Sequence, residues 1–327
     1  MKGDNTLKFD KAAESPLEEQ SLDYIEAVAG KFPGYRRAHA RGNCYQGVFT
    51  PNGKAAALTD APHLQEEAVP VIVRFSNSSS NPNHSDGLTP PKGMAVQFIL
   101  PNDQITNLVC TNIPVFFART PETFTEVLEL AASAKKGVPD LTSFLKIAKQ
   151  VPESTAFIDL MKEVRLPASY AMAQYFSIHA FYFINSSGRR QAVKYIWNPD
   201  EGMSTYTKKD AIKLLHNFLD EELDERLESG PAGFTLNIQL GNEDDPVDDP
   251  TIEWPGDRQQ ITIGHLSITG KMENCPDDLV FDPTILPQGI ECTDDPILHF
   301  RHLAYSASSD RRLREKEGRG KGDQASI

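Results

Sequence analysis

Residues Val69–Phe75 read Val-Pro-Val-Ile-Val-Arg-Phe. A continuous, β-branched run of this length is a strand buried on both faces or nearly so. Two more strand signals follow, Met94–Leu100 and Ile105–Val109, joined through the turn residues Pro101-Asn102-Asp103. The loop Asn77–Asn83 (NSSSNPN) separates the first strand from the second. One strand precedes the trio at Tyr45–Thr50. Later, Ile178–Ile184 and Gln191–Trp197 flank Ser186-Ser187-Gly188, a hairpin signal. Gly233–Leu240 and Gln260–Thr269 complete about eight strands.

Helical patterns fall in blocks between these strand groups. Pro16–Ala29 carries an apolar stripe of Leu17, Tyr24, Ile25, Val28 and Ala29, stopped by Gly30 and Pro33-Gly34. A second block runs from Pro121 to Gln174, with Thr120 as N-cap, and is divided at Gly137-Val138-Pro139 and at Pro152. A long polar helix is expected from Lys208 to Leu227, capped by Gly230. Runs of strands and runs of helices give an α+β chain with an antiparallel sheet or barrel, not a doubly wound α/β fold. Residues 1–15 read as a loose end, 16–313 as the core and 314–327 as a flexible polar tail.

The chain has 327 residues, with 33 Lys plus Arg against 46 Asp plus Glu, a net charge of −13. That balance argues against a nucleic-acid partner and against docking on an anionic membrane. The most apolar stretch, Tyr170–Ile184, is interrupted by Gln174, Ser177 and His179, so no span is expected. No secretory signal or peroxisomal tripeptide is present, so the expected location is cytoplasmic. Cys44, Cys110, Cys275 and Cys292 have no zinc-ligand spacing and are expected to be reduced, mostly structural thiols. Glu243–Asp257 is expected to be a solvated acidic loop.

No P-loop, GxGxxG, HExxH or GxSxG is present. The candidate site residues are dispersed. His39 stands among Arg36, Arg37 and Arg41. Arg74 interrupts an apolar strand. Arg301, Tyr305 and Arg312 share one short stretch. An arginine buried in a strand needs an anion beside it, and several converging could hold a carboxylate or phosphate bidentately. The alternatives are an Arg74 on a sheet edge and an exposed His39 in a loop.

Taken in order, five segments resemble the haem catalases. They are Arg36-x-x-His39-Ala40-Arg41-Gly42; Val73-Arg74-Phe75-Ser76 with Lys92-Gly93-Met94-Ala95-Val96-Gln97-Phe98; and Asn112-Ile113-Pro114-Val115-Phe116-Phe117-Ala118-Arg119. Next come Ser177-Ile178-His179-Ala180-Phe181 and then Phe281-Asp282-Pro283 through Arg301-His302-Leu303-Ala304-Tyr305 to Arg312-Leu313. The resemblance implies an antiparallel eight-stranded β-barrel with surrounding helices, no C-terminal extra domain and a buried b-type haem.

It also implies roles. Tyr305 would be the iron ligand, as tyrosine is in catalases. Arg301, one helical turn earlier, would favour its phenolate, backed by His179 and Asp295. His39 would be the distal base and Ser76 would fix its tautomer. Phe116, Phe117 and Phe124 would pack against the haem. Arg36, Arg74 and Arg312 would bind its propionates. Thr111 stands where the family pattern has a distal Asn, with Asn112 at the second Asn, and Pro90 stands at a channel Asp. These departures point to the short catalase-related peroxidases, which act on hydrogen peroxide or organic peroxides with an organic electron donor and have weak catalase activity. The alternatives are a fatty-acid hydroperoxide dehydratase like allene oxide synthase, and a non-enzymatic haem binder. A monomer or homodimer is expected.

Overall fold

The computed structural model describes residues 15–89, 91–132 and 141–324. The expected loose end before Ser15, Pro90 and the division at Gly137-Val138-Pro139 lie outside the described residues. Helix α1 (Leu17–Ala29) leads into strands β1 (Gly42–Pro51), β2 (Val69–Asn77), β3 (Lys92–Ile99) and β4 (Ile105–Thr111). Helices α2 (Pro121–Ala132), α3 (Leu141–Gln150) and α4 (Thr155–Glu163) follow. Then come β5 (Tyr175–Phe176), β6 (Phe181–Ile184), β7 (Arg190–Pro199), α5 (Lys208–Ala211), α6 (Phe218–Ser229) and β8 (Ala232–Leu240). The chain continues with β9 (Gln260–Lys271), β10 (Ile290–Cys292) and α7 (Pro296–Gln324).

Neighbouring strands pair antiparallel. The ring β1-β2-β3-β4-β5-β7-β8-β9 closes on itself through the β1–β9 and β7–β8 ladders. This is an eight-stranded barrel, and β6 and β10 extend from β7 beyond the ring. Eight strands leave an interior just wide enough to be filled by side chains. Here Tyr45, Phe49, Val73, Phe75, Val96, Phe98, Trp197 and Phe234 fill it. Phe75 stacks on Tyr170 at 5.1 Å and meets Tyr45, Tyr175 and Phe234 at 5.8–6.1 Å.

Strand β2 is buried on both sides for two different reasons. Val71, Val73 and Phe75 point into the barrel. Ile72 packs outside it against Leu279 and Phe281, and Arg74 and Ser76 on that same outer face border a cavity.

Five differences from the sequence expectations stand out. First, the Ile178 strand is broken. From Phe176 to Phe181 the chain advances five residues while its partner advances only from Ile196 to Val193. The bulge at 177–180 is held by Ser177, whose Oγ accepts from Tyr195 N and donates to His179 O. Second, the long helix from Lys208 is two helices. The Asp86 carboxylate accepts from Leu219 N at 2.9 Å and so caps α6 from a distant loop.

Third, the tail is helical through Gln324 instead of flexible from residue 314, because Glu315 accepts from Arg37 and from Gly34 N, and Lys316 pairs with Asp277. Fourth, Cys44 and Cys275 form a disulfide, leaving Cys110 and Cys292 free. The sequence separation of 231 residues hides that proximity. Fifth, the acidic loop is not simply solvated. Asp245 is buried against Arg258, and Asp249 against Arg119. Among the described residues, no helix is long and apolar enough to cross a membrane.

Phe75 is fully buried and touches four aromatic rings. Replacing it with alanine should lower the unfolding free energy by about 3–5 kcal/mol. Urea denaturation followed by near-UV circular dichroism measures this, with an unchanged midpoint refuting the packing argument.

Candidate functional site

The cavity lies between the outer face of β2, β3 and β4, the underside of α1 and one face of α7, and encloses ≈ 970 Å³ including its mouth. Ser21, Leu22 and Ile25 of α1 form the roof. The buried residues of α1 are Ser21 and Leu22, so the apolar stripe read from the sequence is rotated toward the cavity.

An ion network ties down this roof. Arg37 is buried between Glu26 at 2.7 Å and Glu315 at 2.6 Å. Arg311 on α7 reaches Asp23 at 2.8 Å, Glu26 at 3.2 Å and Glu19. The network therefore joins α1, the 31–41 loop and α7.

His39 has φ 53°, a left-handed conformation that is costly for a residue with a side chain. The loop is fixed on both sides of it. Arg74 Nη2 donates to His39 O at 2.9 Å, Ala40 N donates to Ser79 O at 2.9 Å, and Asn77 N donates to Arg41 O at 3.1 Å. His39 Nδ1 lies 3.0 Å from Ser76 Oγ. Gly93 makes this placement possible, because a Cβ there would sit 2.9 Å from the imidazole ring and from Ser76 Oγ. Burial first, then Arg74, Arg301 and Arg36, push the His39 pKa down to about 3. Its ring is therefore neutral at ordinary pH and can take a proton.

Across the cavity, one turn of α7 brings Arg301 onto Tyr305. Arg301 Nε donates to the phenol oxygen at 3.2 Å, and Nη2 donates to the same atom. Behind them His179 Nδ1 lies 2.7 Å from Asp295 Oδ2, both fully buried. His179 Nε2 is buried without a partner. Asp295 also accepts from Ile297 N and Leu298 N at the start of α7.

At one end of the cavity stand Arg36, Arg74 and Arg312. Among the described residues none of the three pairs with a carboxylate. Arg36 donates to Leu279 O at 2.6 Å and Arg312 to Asp277 O at 2.7 Å. Arg312 Nε is buried with no partner. Burial, then Arg74 and Arg312, lower the Arg36 pKa to about 9, and burial lowers that of Arg74 to about 10. A cavity with an unmatched cluster of cations calls for an anionic ligand.

The structure thus brings Arg36, His39, Arg74, Ser76, Thr111, Phe124, Arg301, Tyr305 and Arg312 around one cavity. His179, Phe116 and Phe117 do not line it. The two phenylalanines stack behind Phe124, at 5.8 and 5.4 Å between ring centroids. Thr111 Oγ1 donates to Ile113 O at 2.8 Å, so its only proton is already engaged. Asn112 does not line the cavity, and its Oδ1 accepts from Lys92 N at 2.7 Å. The sequence reading missed the roof contacts of Ser21 and Leu22 and the acids that pair with Arg37 and Arg311. The helix stripe was the available signal for the roof, and nothing local signalled the acids.

The model of the catalase family matches residues 22–317. The chain belongs to the catalase family. It is 36% identical over 297 residues to a catalase-related peroxidase of Mycolicibacterium paratuberculosis, covering 89% of this chain and 93% of that protein. It is 34% identical over 307 residues to a catalase-related peroxidase of Synechococcus elongatus, covering 93% and 91%. Among solved structures, catalase A from Saccharomyces cerevisiae superposes with a TM-score of 0.78 at 21% identity, over 89% of this chain and 64% of that one. The chain thus has the catalase barrel but spans less than two thirds of that full-size enzyme. The cavity suits the haem that the family implies. Tyr305 offers an oxygen ligand, Arg312 Nε and the other guanidiniums await carboxylates, and the walls are apolar.

Buried histidines make this catalase-family fold acid-sensitive. Burial pushes His63 to about 3 and His179 to about 4, against an ordinary value near 6.5. The unfolded chain takes up these protons first, so stability is full above pH ~6.5 and falls as pH drops toward the folded values. Each group adds at most about 1.4 kcal/mol per pH unit in that window. Urea midpoints at pH 7, 6 and 5 measure this. His63→Phe, which keeps a ring packed against Phe98, should give a shallower dependence, and an identical slope would remove His63 from the account.

Proposed function

We propose that this catalase-family chain is a haem-dependent peroxidase. It would reduce organic peroxides or hydrogen peroxide with electrons from a small organic donor and have only weak catalase activity. The observation that carries the reading is the distal wall, where neutral His39 stands ready as a base and Thr111 has no free proton to offer.

In this reading Tyr305 holds the iron through its phenol oxygen. Arg36, Arg74 and Arg312 hold the two haem carboxylates, and Phe124 packs against the ring. Haem, when bound, supplies a ferric centre that accepts a peroxide oxygen and stores oxidising equivalents. The two Arg301 N–H groups on Tyr305 favour the anionic oxygen over the phenol, since positive charge and donated hydrogen bonds both stabilise it.

On the opposite side, Ser76 Oγ lies 3.0 Å from His39 Nδ1, and the tautomer that donates Nδ1–H to it is the one that leaves the Nε2 lone pair free to take a proton. His39 takes the first peroxide proton on Nε2 and returns it to the departing oxygen. Cleavage then releases an alcohol or water instead of a strongly basic anion. An amide at position 111 would add a donor beside the peroxide, but the Thr111 hydroxyl is turned to Ile113 O. Oxidation of a second hydrogen peroxide loses that orienting contact, whereas an organic donor has no need of it.

The test begins with the absorbance spectrum of the haem-loaded protein, which should be that of a high-spin ferric phenolate. Steady-state oxidation of an aromatic donor by peroxide should exceed that of free haem, and a rate no higher rejects the reading. His39→Ala should keep haem and lose about 10²–10⁴-fold in its reaction with peroxide. Thr111→Asn should raise dismutation of hydrogen peroxide relative to donor oxidation. Conversion of a lipid hydroperoxide to a rearranged product without donor would instead assign a dehydratase.

A further inference from the structure

Cys44 on β1 lies directly opposite Arg74 on β2, in the same rung, so both side chains stand on the outer barrel face. Its disulfide partner, Cys275, belongs to the segment 272–281 that leaves β9 and runs along the cation-rich end of the cavity. This segment supplies Leu279 O to Arg36 and Asp277 O to Arg312. It then supplies Val280 and Phe281 to the cavity wall.

Between Glu273 and Asp278 the segment is mostly exposed, and Cys275 is half-buried whereas Cys44 is fully buried. The backbone bond Met272 N to Cys44 O ends the ladder side of this stretch. Beyond it, across the exposed stretch from Glu273 to Asp278, the disulfide is the link to the barrel until Leu279 and Phe281 pack against Ile72, while Asp277 ties the stretch to Arg312 and Lys316 on α7. Two carbonyls that aim carboxylate-binding guanidiniums thus sit two and four residues from Cys275.

We propose that the Cys44–Cys275 disulfide is a redox-sensitive latch on the carboxylate-binding end of the cavity, closed by peroxide and opened by a dithiol. The proposal rests on the haem reading above. When the bond is closed, Asp277 O and Leu279 O are held in place and Arg312 and Arg36 are preorganised for the ligand carboxylates. When it is open, these residues gain freedom that ligand binding must remove, and the bound group leaves faster.

Closing balances as two steps. The Cys275 thiol attacks ROOH, giving a sulfenic acid and ROH, and the Cys44 thiol then displaces water to form the S–S bond. A dithiol reverses the result, becoming a cyclic disulfide and returning both protons to the cysteines. The latch thus places the peroxide under which the haem is used in control of how tightly the haem is kept.

The experiment mixes haem-loaded protein with a haem-scavenging apoprotein and follows haem transfer by absorbance. Dithiol treatment, or Cys275→Ser, should speed transfer on the order of tenfold, and dithiol should change the variant no further. Equal transfer from oxidised, reduced and Cys275→Ser protein overturns the latch and leaves the haem reading standing. A chain that takes up no haem in either state overturns both. Peptide mapping without reductant, after peroxide treatment of reduced protein, should recover the Cys44–Cys275 cross-link. Two persistently free thiols there overturn the redox half of the proposal.

Discussion

Two buried guanidinium groups and a half-buried third, with no carboxylate beside them among the described residues, are the constraint on which the rest of the molecule depends. Removing an arginine from water costs several kcal/mol unless an anion replaces the lost hydration. Arg36, Arg74 and Arg312 are satisfied only by backbone carbonyls, a serine hydroxyl and each other's unfavourable company. The fold must therefore be stable enough to hold a site that is complete only with its ligand. The filled barrel interior provides that stability on the inner face of β2, while the outer face of the same strand carries the cost.

Two adjacent pairs of arginines show how finely this is divided. Arg36 faces the cavity with a carbonyl partner, while Arg37 is locked between Glu26 and Glu315. Arg312 faces the cavity with a buried, partnerless Nε, while Arg311 meets Glu19, Asp23 and Glu26. A step of one residue turns a helical side chain by about 100°. On α7 that turn separates an arginine that closes the roof from one that awaits a ligand. Composition counts all four alike, and the net charge of −13 conceals them.

The strands were legible because their pattern is local. β-branched runs and turn residues placed eight of the ten strands, missing the short β5 and β10, and an Arg inside Val69–Phe75 marked the cavity face. What was not legible depends on contacts far along the chain. The bulge at 177–180 exists because Ser177 bonds across to Tyr195, and α6 begins where it does because Asp86 caps it. The helical tail defies its glycines because Glu315 and Lys316 have distant partners. In the site, the resemblance to haem catalases named nine of the residues that line the cavity. It could not reveal that Thr111 spends its proton on Ile113 or that Cys44 meets Cys275.

The two ends of the cavity are consequently built to different standards of rigidity. The His39 end rests on β2 and β3, where Ser76 and Gly93 are paired within continuous ladders, and local opening there would require breaking the barrel. Of the three cations Arg74 shares β2 with that end, but Arg36 rests on a loop and Arg312 on α7, where opening costs far fewer contacts. Proton transfer tolerates little displacement, because a base misplaced by an ångström loses its reach. Retention of a charged group tolerates more, since several guanidiniums share the anion. In the proposed reading, a scaffold that braces its base against strands and part of its ligand clamp on a tethered loop varies how long it keeps the ligand without disturbing the chemistry at His39.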